Sequence, residues 1–149
     1  MAQRFDPLQA FCVSVTLDLY GAVAFCKSVS GLKVEREVIP YKEGGNNRYT
    51  QKLVGPANHP NLVLKRGFVA SSSGHTVFAT KFFQMLKADE ATRFGGTIVQ
   101  LGPDLSPSWK WKFRDGWICK WEGPDLDASK SELAFESIEI AHHGFDFPA

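Results

Sequence analysis

A mainly β domain with a single packed α-helix is what this sequence predicts, and three observations lead there. Short runs of apolar residues recur with a period of two, the spacing of strands with one covered face. Gly, Pro, Asn and Asp clusters separate those runs at short intervals, as turns do. Only one stretch carries helical spacing. At 149 residues the chain has the length of one domain, 1–149, with one core.

The first strand is expected near residues 11–20, where Phe11, Val13, Val15, Leu17 and Leu19 alternate with Cys12, Ser14, Thr16, Asp18 and Tyr20. A second extended segment, about 22–30, runs through Ser30-Gly31 into LKVEREV. There Leu32, Val34 and Val38 share one parity, and Lys33, Glu35 and Glu37 the other, so one face is apolar and the opposite one carries mixed charge. Pro40 cannot donate to a ladder and marks the end of that strand or a sheet edge. YKEGGNNRY then reads as a flexible loop. Gly55-Pro56 and His59-Pro60 punctuate the chain before NLVLKRGFV resumes a strand pattern.

The helix is expected near 76–88, where Phe78, Phe82, Met85 and Leu86 form one stripe for core packing. TIVQLG follows Gly95-Gly96 as another strand. In SWKWKFRDGWICKWEGP, Trp109, Trp111 and Phe113 alternate with Lys110, Lys112 and Arg114, so both tryptophans are expected to face the core. Asp115-Gly116 offers either a turn between two strands or a bulge within one. The closing stretch SELAFESIEIAHHGFDF has apolar residues on both parities, as a strand covered partly on both faces would.

Apolar residues make up 44% and charged residues 22%, a balance that excludes wholesale disorder. Seventeen Lys and Arg against sixteen Asp and Glu leave a net charge of +1, no global field for gathering nucleic acid or an anionic membrane. No apolar run is long enough to span a bilayer, and MAQRFDPLQA lacks the apolar centre of a secretory signal, so no membrane insertion is expected. Cys12, Cys26 and Cys119 are odd in number and far apart, which predicts reduced thiols made in a reducing cytoplasm.

Catalytic equipment is not legible. The histidines are His59, His75, His142 and His143, and the adjacent pair would point to opposite faces of a strand, unlike a bidentate metal clamp. Glu136 and Glu139, three apart on a strand, also face opposite ways and do not make a facing acid–base pair. There is no G-x-S-x-G elbow and no cysteine in an electropositive motif. Lys42 to Asn47 lacks the spacing of a phosphate loop. The tryptophans and lysines of 109–121 invite a nucleic-acid reading, but alternation puts them on opposite faces, whereas single-strand binding needs them on one surface.

Three blocks resemble the tail-tube family of contractile phages and phage-derived injection systems: VSGLKVEREVIPYKEGGNN at 29–47, KLVGPANHPNLVLKRG at 52–67 and WKWKFRDGWICKWEGPDLDASKSELAFESIEIAHHG at 109–144. Their order and spacing match too, so the likeness runs from about Phe5 to Phe145. It departs at His143, where relatives often carry an acidic residue, and at Asp115-Gly116, where many carry Asn with Ala or Gly. The resemblance implies a β-barrel or sandwich with a single packed α-helix, closing into hexameric rings stacked into a hollow tube within a contractile sheath. Implied partners are further copies of the chain, the sheath protein, baseplate or spike and tube-initiator proteins, a cap or terminator protein, and a luminal cargo or tape-measure protein. No cofactor and no enzymatic activity are expected.

Two surfaces are candidates for that assembly. Lys33, Glu35 and Glu37 are candidates for the water-filled lumen, against an ordinary solvated outer face. Lys42, Glu43, Gly44, Gly45, Asn46, Asn47 and Arg48 form the candidate contact between subunits, chiefly between successive rings, against a free surface loop. The alternative function is a single-stranded nucleic-acid-binding β-barrel. From the cysteine count, titration of the denatured chain without reductant is expected to find three reactive thiols; recovery of a single one would indicate a bridge.

Overall fold

A computed structural model describes residues 12–18, 22–67, 82–125, 127–129 and 135–146. Phe11, Leu19, His75, residues 76–81 of the expected helix with Phe78, and the Ser131–Ala134 start of the closing segment lie outside the described residues. The strands are β1 (Cys12–Leu17), β2 (Ala22–Cys26), β3 (Ser28–Ser30), β4 (Glu35–Tyr41), β5 (Gln51–Asn58), β6 (Leu62–Gly67), β7 (Phe94–Leu101), β8 (Pro107–Glu122), β9 (Phe135–Ala141) and β10 (Phe145–Asp146). Residues 82–87 form helix α1.

The main sheet runs β2-β1-β7-β8-β9-β6-β3, all antiparallel, with β10 added to β8. Its end strands, β2 and β3, are consecutive parts of the chain separated by Lys27, whose backbone N–H donates to the Lys65 carbonyl at 2.8 Å. The sheet therefore curls until its two ends meet, and it stays open at that seam. This is the expected mainly β fold with a helix packed on it.

The alternation in β1 turns Val15 and Leu17 inward, both almost fully buried. Val15 lies opposite Ile98, and Ile98 opposite Trp111, so a row of apolar side chains crosses three strands. A second row joins Ile118, Ile140 and Leu62, and a third joins Trp121, Ile138, Leu64 and Val29. Phe82 of α1 closes the core, Met85 packs against it, and Leu86 of the expected stripe is exposed. Each fully buried side chain of this size contributes about 1.5–3 kcal/mol.

Asp115-Gly116 is a bulge, and β8 continues through it as one strand of 16 residues. Phe94 pairs with Gly116 and Gly96 with Phe113, so Arg114 and Asp115 together oppose Gly95. Asp115 takes φ 51°, the left-handed region that Asp tolerates better than most residues. The ring of Phe113 fills the space between two glycines: a Cβ on Gly96 would come within 2.5 Å of it, and one on Gly116 within 2.8 Å. Beyond the bulge β8 leaves β7 and pairs with β9.

In β9 buried and half-buried residues alternate, with Glu136, Ile138 and Ile140 inward and the second face partly covered. Glu136 sits opposite Arg66 of β6, and the two buried side chains form an ion pair. The other carboxylate oxygen of Glu136 accepts from the Trp121 indole N–H at 3.2 Å. Trp109 departs from expectation. It is 37% exposed beside the turn at 102–106, whereas Trp111 packs against the core.

Phe113→Ala is expected to cost about 3–5 kcal/mol in denaturant unfolding, as truncation of a buried aromatic does, and Trp109→Ala about 1 kcal/mol or less. Glu136→Ala is expected to lose about 3–5 kcal/mol by breaking the buried ion pair with Arg66. The double change Arg66→Met with Glu136→Leu should recover most of that loss, because two apolar groups need no partners.

Candidate assembly surface

β4 and β5 form a two-stranded sheet of their own, apart from the main one. Val38 lies opposite Val54, Ile39 opposite Leu53, Pro40 opposite Lys52 and Tyr41 opposite Gln51. Cross-strand partners share a face, so Val38 and Val54 lie on one side of the ribbon and Ile39, Leu53 and Tyr41 on the other. All are exposed, Val38 by 58% and Val54 by 76%, together with Val34 and Tyr49. An antiparallel ribbon that is apolar on both faces, with none of these side chains buried, leaves a large unsatisfied surface.

Gly55-Pro56, expected to interrupt the chain, lies inside β5 and is accommodated by a second bulge, between Arg36 and Val38. A Cβ on Gly55 would come 2.7 Å from the Glu37 carbonyl oxygen, so only glycine permits the strands to approach there. Pro40 falls on a strand with one neighbour, the edge position that its missing N–H allows. These are the signals that set 35–58 apart from the core strands, and reading the parity of Leu32, Val34 and Val38 alone missed them. Leu32 packs against the core, while Val34 and Val38 project away from it.

The loop between the two strands is held by its own residues. The Asn46 N–H donates to the Glu43 carbonyl at 3.3 Å, the Arg48 N–H to Asn46 Oδ1 at 3.1 Å, and Gln51 Nε2 to Glu43 Oε1 at 3.1 Å. Gly45 has φ 89°, and a Cβ on Gly44 or Gly45 would meet nothing within 4 Å. Lys42, Glu43, Asn47 and Arg48 are exposed, and Asn46 is half-buried. At the root of the hairpin Lys33, Glu35 and Glu37 are also exposed, with Lys33 Nζ 2.9 Å from Glu35 Oε1. The Arg36 side chain, of the opposite parity, donates to the Gly55 carbonyl at 3.4 Å.

The groups weighed for chemistry are dispersed. Among the described residues no cluster of three or more His, Cys, Asp or Glu side chains is arranged to hold a metal ion. His142 is buried and His143 exposed, the opposite placement expected of neighbours. Glu136 is engaged by Arg66 and Trp121, and Glu139 by the Asn61 amide at 2.8 Å. Cys26 and Cys119 are not joined in a disulfide, and burial, aided by Glu139, pushes the Cys119 thiol above its usual range, away from thiolate reactivity. No helix among the described residues is long and apolar enough to cross a membrane.

The fold is similar to a chain of the anti-feeding prophage baseplate, with TM-score 0.75 and 24% identity over 98% of this chain and 96% of that one. It is similar to a chain of the sheath–tube complex of the PVC extracellular contractile injection system, with TM-score 0.77 and 17% identity over 94% and 90%. A chain of the anti-feeding prophage tube-terminating cap matches with TM-score 0.78 and 18% identity over 98% and 93%. No curated protein sequence matches. Residues 9–146, which take in the curled sheet, the bulged β8 and the exposed hairpin, match the T4-like virus tail tube protein gp19, and the chain belongs to that tail-tube family.

Proposed function

We propose that this tail-tube subunit forms hexameric rings that stack into the hollow shaft of a contractile device, and that the β4–β5 hairpin with Lys42–Arg48 makes the principal contact between successive rings. The exposed apolar ribbon supports this reading: Val38, Val54, Ile39, Leu53 and Tyr41 gain stabilisation only when neighbouring chains cover both faces. Contacts around a ring close on themselves, whereas contacts between rings repeat without closure and give a filament. Lys33, Glu35 and Glu37 are proposed to face the lumen, where the Lys33–Glu35 pair keeps the local charge mixed.

The partners follow from this role. Sheath, baseplate and cap proteins would meet the outside and the two ends of the tube, with cargo or a tape-measure protein inside. The matched chains come from sheath–tube, baseplate and cap assemblies, which suits that set. The chain acts mechanically, as one domain without an enzymatic step, and assembles in the bacterial cytoplasm. The nucleic-acid alternative has little support, since Trp109 is the one exposed tryptophan of four and the stacking platform it would need is incomplete.

Replacing residues 43–47 by a short Gly-Ser link is expected to leave the thermal midpoint within about 2 °C, because the loop's bonds are local and contribute little to the core. The same change is expected to abolish tube growth under negative-stain microscopy. Tubes of normal length from this variant would refute the assignment, and an unfolded monomer would place the loop in the core of the domain.

A further inference from the structure

His142 follows β9 in a short turn, and both its ring nitrogens are engaged. The Gly144 backbone N–H donates to Nδ1 at 3.0 Å, so Nδ1 presents its lone pair there. Nε2 lies 3.0 Å from the Pro60 carbonyl oxygen, which can only accept, so Nε2 carries the proton. The two contacts require the neutral Nε2–H imidazole. A second proton, on Nδ1, would set donor against donor at Gly144.

The same turn is the second support of β8 at its bulge. The Arg114 N–H donates to the Gly144 carbonyl, and the His143 N–H to the Arg114 carbonyl, each at 3.1 Å, and Phe145 pairs with Phe113. Gly144 has φ 131°, so the turn depends on a conformation that few residues adopt. The His142 ring packs near His59, Phe145 and Phe113, with centroids 5.8, 6.0 and 6.3 Å away.

The charged and titratable groups around this ring do not welcome a cation. From the β5–β6 connection comes His59, whose Nδ1 is buried without a hydrogen-bond partner. From the turn itself come His143 and Asp146, from β8 Arg114 and Asp115, and from the approach to β7 Arg93. Asp115 lies 3.7 Å from His143 and Asp146 3.8 Å from Arg114, so both carboxylates are directed elsewhere. Burial holds the His142 pKa below the usual 6.5, with His59 and His143 acting in the same direction and the bond to Pro60 opposing it.

We infer that His142 is an acid-sensitive clasp: neutral, it ties the turn 142–146 to the β5–β6 connection and to the bulge of β8, and protonated, it releases that turn while the rest of the sheet stays folded. The closed turn disfavours the proton and the open turn accepts it near 6.5, so acid draws the equilibrium open. The clasp is at full strength above that pH and weakens as pH falls below it. This device is independent of which surface joins successive rings.

Hydrogen exchange of the assembled protein, read by mass spectrometry and corrected for intrinsic rates, tests it. In peptides carrying Arg114, His143 and Gly144, protection is expected to fall by up to about 30-fold between pH 7.5 and 5.0, the factor supplied by one group of pKa 6.5 in the open state. Peptides from the centre of β9 should hold their protection. His142→Asn, which keeps an acceptor for the Gly144 amide but cannot titrate, is expected to flatten the dependence, whereas His143→Asn is expected to retain it. Unchanged protection in the wild type, a slope that survives His142→Asn, loss of the slope in His143→Asn, or an equal loss throughout β9 would each overturn the clasp. Should His142→Asn not fold, the wild-type profile and His143→Asn still decide.

Discussion

The fold depends on one strand serving two ladders. β8 pairs with β7 up to Gly116 and with β9 from Trp117 onward, and the bulge at Asp115 is where the allegiance changes. A regular strand of 16 residues could not follow both neighbours around a curled sheet, whereas an extra residue at the bulge adds local twist. Phe113 fixes the site from the inside because Gly96 and Gly116 leave room for its ring and for nothing larger on their own side. The core rows across β1, β7 and β8 on one side, and across β8, β9 and β6 on the other, keep their registers only while this hinge holds.

The buried pair of Arg66 and Glu136 plays a second, more selective part. Two apolar residues at those positions would satisfy the core at least as well, so the pair adds little net stability. It does oppose slippage, since moving β6 by one residue against β9 would carry Arg66 out of reach of Glu136 and leave a buried carboxylate without its cation. Trp121 enforces the same register from β8 through its indole N–H.

Much of the fold was legible because its strands obey a simple rule. The alternation of Val13, Val15 and Leu17, and that of Glu136, Ile138 and Ile140, reports directly which side chains turn inward. The loop after Tyr41 and the helix carrying Phe82 were equally plain in composition and spacing. What alternation cannot report is which molecule covers the apolar face. Val34 and Val38 repeat with the same parity as Val15 and Leu17, yet they project away from the domain's own core. The distinguishing marks were conformational: Pro40 and Gly55-Pro56 exclude a central position in a sheet. Trp109 misled for a related reason, because it shares parity with Phe113 but lies next to the 102–106 turn, where the core has tapered off. The Asp115-Gly116 dipeptide is ambiguous in itself. Turn and bulge both accept a left-handed Asp, and only the long-range pairing of β8 with β7 and β9 selects between them.

The division between sheet and hairpin bears on how such a subunit could be stable alone and yet driven to assemble. The residues that close the core, from Val15 to Ile140, belong to the main sheet and α1, and none of them comes from β4 or β5. The buried core therefore resides in one element and much of the exposed apolar surface in another. The hairpin's polar backbone costs little within the monomer, because its strands pair with each other and three hydrogen bonds among nearby residues tie its loop. The hairpin's apolar surface yields about 25 cal/mol for each Å² covered by a neighbour. A two-stranded ribbon is marginal by itself in water, so contact with neighbouring chains would order the hairpin as well as bury it. If neighbouring rings cover the hairpin as proposed, that coupling would make each subunit's hairpin firmest when the tube is complete, the property a shaft under axial load requires.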